Sequence, residues 1–285
     1  MIGKNHAASV RTRLLNQARS SGEDFQRLLV RYAIERLLYR LSISGHRDVF
    51  ILKGATLFVV WFGKPHRATK DLDLLGRGTP DLERLTTVFA EVASCPFPTD
   101  GMTFDGDQIK ASPIREDASY SGVRLMIPAS LAGAKVKVQV DIGMGDAMVP
   151  DPQFIEMTSL LDFPDVRMRA YSPETVVAEK LEALVVLGMT TSRMKDLYDL
   201  DLLCRTQVFD DTLIDAIRAT FSRRGTPLPS RLPVGFSEQF CLDSSKQAQW
   251  KAFLRRAAPG ESRPLIEVVD DLRSVLWPVL QQAGQ

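Results

Sequence analysis

Asp71-Leu72-Asp73 opens an alternating stretch, Asp71-Leu72-Asp73-Leu74-Leu75, that reads as a strand. Residues i and i+2 of a strand project from one face, so both carboxylates can meet one or two hard divalent cations. A third acid on that face would complete such a site. Asp141, at the end of a second alternating segment over 135–142, is the natural candidate. In that segment Val136, Val138 and Val140 point one way and Lys137, Gln139 and Asp141 the other. Three carboxylates at strand ends can hold two magnesium ions, which polarise a phosphate and activate an attacking hydroxyl. An isolated Asp-x-Asp also occurs on solvated surface strands, so the pair alone decides little.

The preceding segment adds to the case. Val49–Leu52 reads as a buried strand that runs through Lys53-Gly54-Ala55-Thr56 into a helix over Leu57–Phe62. Free N–H groups at Gly54 and the Thr56 hydroxyl, at a helix start, suit a phosphate. By itself the segment reads better as a tight turn that needs Gly54 only for its backbone angles. The order strand, Gly, hydroxyl, helix, strand, Asp-x-Asp is harder to explain that way. A further group lies downstream, where Asp196 and Asp199 share a helix face and Lys180 sits on the preceding helix. If those helices form a hairpin, Lys180 reaches the acids. A cation there could neutralise triphosphate charge, or simply bridge the helices. Arg67 and Lys70 could bind phosphate or balance the acids. His66 reads as a loop residue, and Phe58–Phe62 as core.

These groups need a scaffold. At 285 residues the chain has the length of one large domain or two smaller ones. With 45% hydrophobic and 25% charged residues it is globular in composition, which excludes wholesale disorder and a disulfide mini-protein. No apolar run reaches the roughly 18–20 residues that span a bilayer, and the amino terminus lacks a secretory signal, so no membrane is expected. Three isolated cysteines, Cys95, Cys204 and Cys241, fit a reducing cytoplasm. With 36 basic and 35 acidic residues, bulk charge does not announce a nucleic-acid binder, but segregated charge could serve. Arg27, Arg31, Arg36 and Arg40 on a helix over Glu23–Leu41, then Arg223-Arg224 and Arg255-Arg256, are the candidate patches.

Pro80 behind Thr79 suggests a helix over 80–93. Residues 94–120 read as loop with one strand near Met102–Phe104, followed by strands over Gly122–Ile127 and Lys135–Ile142. Strands are expected to end there, with helices over 172–187, 193–204, 210–223 and 262–281. The fold class is therefore α+β: a mixed-sheet domain over 1–160 and a helical domain over 161–285.

The stretch LKGATLFVVWFGKPHRATKDLDLL resembles the signature of the AbiEii/AbiGii nucleotidyltransferase toxins, relatives of the polymerase-beta nucleotidyltransferase superfamily. That family reads Lys-Gly-Gly-Ser/Thr, then Arg-x-Ser/Thr-x-Asp-x-Asp. VQVDIGMGD, with Asp141, is similar to its third-acid strand, and AEKLEALVVLGMTTSRMKDLYDL to its last motif. The resemblance spans 51–201. Ala55 replaces the second glycine, adding a methyl where triphosphate should pass close to backbone. The resemblance implies a polymerase-beta-type core and a toxin transferring NMP from an NTP, with magnesium on Asp71, Asp73 and Asp141. Lys53, Gly54, Thr56, Arg67 and Thr69 would bind the nucleotide, with Lys180 and Asp196 of the helical domain contributing to the active-site cleft. It further implies a cognate antitoxin, a role in phage defence, and an acceptor such as the 3′ end of tRNA, whose modification would block translation. Transfer to a protein or small-molecule hydroxyl, or a catalytically decayed binding module, are the alternatives.

Overall fold

The computed structural model describes residues 2–116 and 120–285, in two compact units: 2–145 with 154–170, and 146–153 with 171–285. The end of the 94–120 stretch, at 117–119, lies outside the described residues.

The first unit begins with α1 (Ile2–Ser21) and α2 (Phe25–Ile43), continues through β1 (Phe50–Lys53), α3 (Thr56–Phe62), β2 (Asp71–Gly76) and α4 (Leu82–Ser94), and then runs β3 (Met102–Phe104), β4 (Lys110–Glu116), β5 (Tyr120–Leu131), β6 (Ala134–Met144), β7 (Gln153–Met157) and β8 (Val166–Ala170). The described strands form one mixed sheet, ordered β3-β5-β6-β2-β1-β8-β7, with β4 also paired to β5. β2 runs parallel to β6 and β1 parallel to β8, while β1–β2 and β5–β6 are antiparallel. One face of this sheet is the core. Leu72, Leu74, Leu125, Val138, Val140 and Ile142 are fully or nearly buried there. Helix α2 packs against β6 and β8, and α4 joins through the edge-to-face pair of Phe50 and Phe89 at 5.4 Å. Truncating Leu72, Leu74, Leu125 or Ile142 to alanine would cost about 2–5 kcal/mol.

Several elements differ from the sequence reading. Helix α4 starts at Leu82 instead of Pro80, because the Asp81 carboxylate caps the Arg84 N–H at 2.8 Å. Strand β4 carries Pro113, which is tolerated on an edge strand and hides it from a propensity reading. Strands do not end at 142. In β8, Val166, Met168 and Ala170 are buried while Arg167 and Arg169 alternate outward, a period of two spread over only five residues. Among the residues of α1 whose burial is described, the buried ones form the sparse stripe Val10, Leu14 and Ala18.

The supposed basic side of α2 is largely internal. Arg36 and Arg40 are buried, Arg36 paired with Glu35 at 2.7 Å and Arg40 with both carboxylate oxygens of Asp100. Arg31 pairs with Glu23, leaving Arg27 as the exposed arginine of the four.

The second unit, over residues 171–285, is helical: α5 (Pro173–Leu187), α6 (Met194–Thr206), α7 (Thr212–Arg224), α8 (Glu238–Leu242), α9 (Ser244–Ala257) and α10 (Leu265–Ala283). α8 and α9, absent from the sequence reading, are capped by Ser237 and Asp243. Arg224 is not a surface patch: it bonds Glu182 at 2.7 Å and Asp146 at 3.3 Å. Arg255 and Arg256 are exposed.

Candidate active site

The register of the sheet builds the site. Lys53 on β1 lies opposite Asp73 on β2, Asp73 beside Asp141 on β6, and Asp141 opposite Arg124 on β5. Directly paired residues share a face, so one row crosses four strands with charges plus, minus, minus, plus. Asp71 stands two residues back along β2, beside Gln139. Adjacent strands are about 4.8 Å apart, which brings the acids together. Asp71, Asp73 and Asp141 each offer one carboxylate oxygen within 4.8 Å of the others, and this is the one such cluster among the described residues.

Each acid is held by its own neighbours. Asp141 accepts a bidentate pair from Arg124, Nε at 2.8 Å and Nη2 at 2.7 Å, plus the Gln139 amide at 3.0 Å. Two like charges side by side are destabilising, and the Arg124 guanidinium offsets that repulsion. Asp71 Oδ1 accepts from the Thr69 hydroxyl at 3.2 Å and from the Lys70 N–H at 3.1 Å. Asp73 is seated by the turn after β1. Gly54 has φ +75°, and a Cβ there would lie 2.0 Å from Asp73 Oδ2. A side chain at 54 would occupy the place of the carboxylate.

This donor set suits a hard divalent cation. All three ligands are oxygens, and with Arg124 Nη2 and Gln139 both on Oδ2 of Asp141, its Oδ1 keeps a lone pair beside the single Arg124 Nε bond. The positive-φ glycine keeps the approach to Asp73 free of side chain.

The phosphate candidates lie on the same unit. Thr56 is buried at the start of the seven-residue α3, and the N-cap is Ala55, not Thr56. Ala55 is 5% exposed, so the methyl that departs from the family motif lies inside the fold. Arg67 and Thr69 precede β2, Thr69 with its hydroxyl turned to Asp71. His66 stacks on Phe58 at 3.9 Å. Arg124 and Gln139 were missed by sequence reasoning. Gln139 had a signal, its place two residues before Asp141. Arg124 had none short of the strand register.

Lys180 and Asp196 belong to the second unit. The Lys180 ammonium lies 2.6 Å from Asp196 and 2.9 Å from Asp199, and Arg193 Nε donates to Asp196 at 2.6 Å. Burial alone would raise the Asp196 carboxyl, but Lys180 and Arg193 together hold it below the usual carboxylate range. Burial raises the Cys204 thiol to about 12, so it is no nucleophile at neutral pH.

Comparison with known proteins places this geometry. Residues 36–276 match the family model for the nucleotidyl transferase AbiEii toxin of type IV toxin–antitoxin systems. The chain belongs to the AbiEii family. As an AbiEii protein it is a nucleotidyltransferase toxin, and the family implies an NTP substrate and an antitoxin partner. The AbiEii chain also shares its fold with JHP933 from Helicobacter pylori, at TM-score 0.55 and 16% identity over 91% of this chain and 94% of that one. A second H. pylori structure, assigned to the nucleotidyltransferases, matches at TM-score 0.54 and 15% identity over 91% and 97% of the two chains. No curated protein is a significant match. No helix among the described residues is long and apolar enough to cross a membrane.

Proposed function

We propose that this toxin transfers NMP from an NTP to the 3′ end of tRNA in the cytoplasm, blocking translation, with Asp71, Asp73 and Asp141 as the reaction centre. The observation that carries this reading is the row of three carboxylates whose oxygens lie within 4.8 Å of one another on one sheet face. Magnesium ions held by these acids would supply charge neutralisation at the triphosphate.

The chain's own groups do the rest. Asp71 and Asp73 are fixed by Thr69 and by the Gly54 turn, so they need not reorganise when charge develops. Lys53, Thr56 and Arg67 orient the triphosphate. The acceptor 3′ oxygen bonds to the α-phosphorus, the bond from that phosphorus to the β-phosphate bridging oxygen breaks, and pyrophosphate leaves. Asp141 takes the hydroxyl proton, with Arg124 and Gln139 fixing its orientation. On the strength of the family's last motif, Lys180 is assigned to pairing with the triphosphate and Asp196, 2.6 Å from its ammonium, to positioning that lysine or the acceptor hydroxyl.

The test is incubation with each α-labelled NTP, magnesium and either total tRNA or a protein extract. Label in RNA that disappears with chelator supports the reading. Label in protein instead moves the acceptor to a protein hydroxyl.

A further inference from the structure

A second cluster on the first unit takes no part in the chemistry above. Phe154, on the edge strand β7, is 42% exposed. Three guanidinium groups gather round its ring: Arg47 at 5.4 Å, Arg167 at 5.5 Å and Arg169 at 5.2 Å from the centroid. Arg167 and Arg169 alternate with the buried Val166, Met168 and Ala170 of β8. Leu52 pairs with Ala170, and Leu52 faces the core. The two arginines therefore stand on the opposite face, the one that carries Lys53 and, through β2, Asp71 and Asp73.

Carboxylates do not balance this cluster. Among the described residues Arg47 has Asp48 at 3.7 Å, whereas Arg167 and Arg169 make no ion pair. The Arg169 Nε is buried with no hydrogen-bond partner among them. In a chain of net charge +1, where other arginines are spent on internal acids, three guanidiniums around one exposed ring are a local excess of positive charge. The phenyl quadrupole holds them but does not neutralise them. Apart from the buried Arg169 Nε, their N–H groups remain available to an anion.

We propose that Arg47, Arg167, Arg169 and Phe154 anchor the sugar–phosphate backbone of an RNA acceptor. This rests on the reading that the acceptor is RNA. Residues two apart on a strand are about 6.6 Å apart, so Arg167 and Arg169 present two separate forks to successive phosphates of a strand. Arginine suits this task because its planar fork pairs with phosphate while its face stacks on a ring. The cluster lies on the acid-bearing sheet face, with β1 between β8 and the Asp-x-Asp strand, where a chain delivering a 3′ hydroxyl must approach. That position favours a long polyanion over an isolated phosphate.

The experiment measures binding apart from turnover. In the full-length Asp73→Asn protein, fluorescence anisotropy follows a 5′-labelled RNA hairpin with a single-stranded 3′ tail across a salt series. Adding Arg167→Gln and Arg169→Gln should weaken binding at least tenfold. It should also lower the salt slope by about 1.4, the loss of two single-strand phosphate contacts, with an unchanged thermal midpoint. RNA affinity and slope that do not change in this folded variant would overturn the proposal. So would an Arg-dependent loss of binding to a labelled polyglutamate peptide with RNA binding intact, which would make the cluster a site for an acidic protein. Transfer of label into RNA by the unsubstituted protein is scored separately. Absent transfer with intact Arg-dependent RNA binding would sink the acceptor reading and leave the anchor standing. Transfer with Arg-independent binding would sink the anchor alone.

Discussion

The α-carbon of Gly54 is seated directly against the carboxylate of Asp73: a methyl group at position 54 would lie 2.0 Å from Oδ2 and 2.7 Å from Cγ. The backbone of one motif thus sets the side-chain position of the next. Gly54→Ala should displace Asp73 and reduce NMP transfer by at least about 100-fold, the scale of losing a preorganised charged group. The positive φ adds a strain of about 1–2 kcal/mol, so a thermal midpoint a few degrees lower should accompany the loss. Near-normal transfer by this variant would show that the turn does not position the acid.

Arg124 stands in for positive charge beside Asp141. Arg124→Met removes it and leaves three carboxylates with less compensation. Because Arg124 is half-exposed, the loss of stability should stay at or below about 1 kcal/mol without divalent cation. Magnesium should then raise the thermal midpoint more in Arg124→Met than in the unsubstituted protein, since a cation bound only by the folded state stabilises it by mass action. Equal magnesium shifts in the two proteins would separate Arg124 from the cation site.

The Lys180–Asp196–Arg193 group sets an acid limit on the helical unit. The Asp196 carboxyl is lowered in the folded state, so its contribution to stability is fully present above the unfolded value of about 3.9 and is lost as pH falls through the folded value. Asp196→Asn should lower stability at pH 7 and flatten the decline below about pH 4. A variant whose acid-unfolding profile runs parallel to the parent would contradict this.

Much of the site could be read from the sequence because it depends on short-range rules. Asp71 and Asp73 sit at i and i+2, and Asp141 ends a strand whose valines alternate, so their faces followed from period alone. What escaped depended on contacts across the fold. Arg124 meets Asp141 through the β5–β6 register. Arg36 and Arg40 looked like a basic surface because their partners are not read from a helical wheel; Asp100, which holds Arg40, is 60 positions away. Strands β7 and β8 are five residues each, too short for a strand signal, and β8 also carries Arg167 and Arg169 on its outer face.

If the Asp71–Asp73–Asp141 face performs nucleotidyl transfer, the unsubstituted protein and Asp73→Asn must differ in labelling and not in folding. Both are incubated with α-labelled NTP, magnesium and total tRNA, and thermal unfolding is recorded on the same preparations. The expected result is labelled RNA from the unsubstituted protein, label reduced by at least about 1000-fold from Asp73→Asn, and a thermal midpoint that does not fall, because removing one of three clustered charges relieves repulsion. Undiminished labelling by a folded Asp73→Asn protein would contradict it.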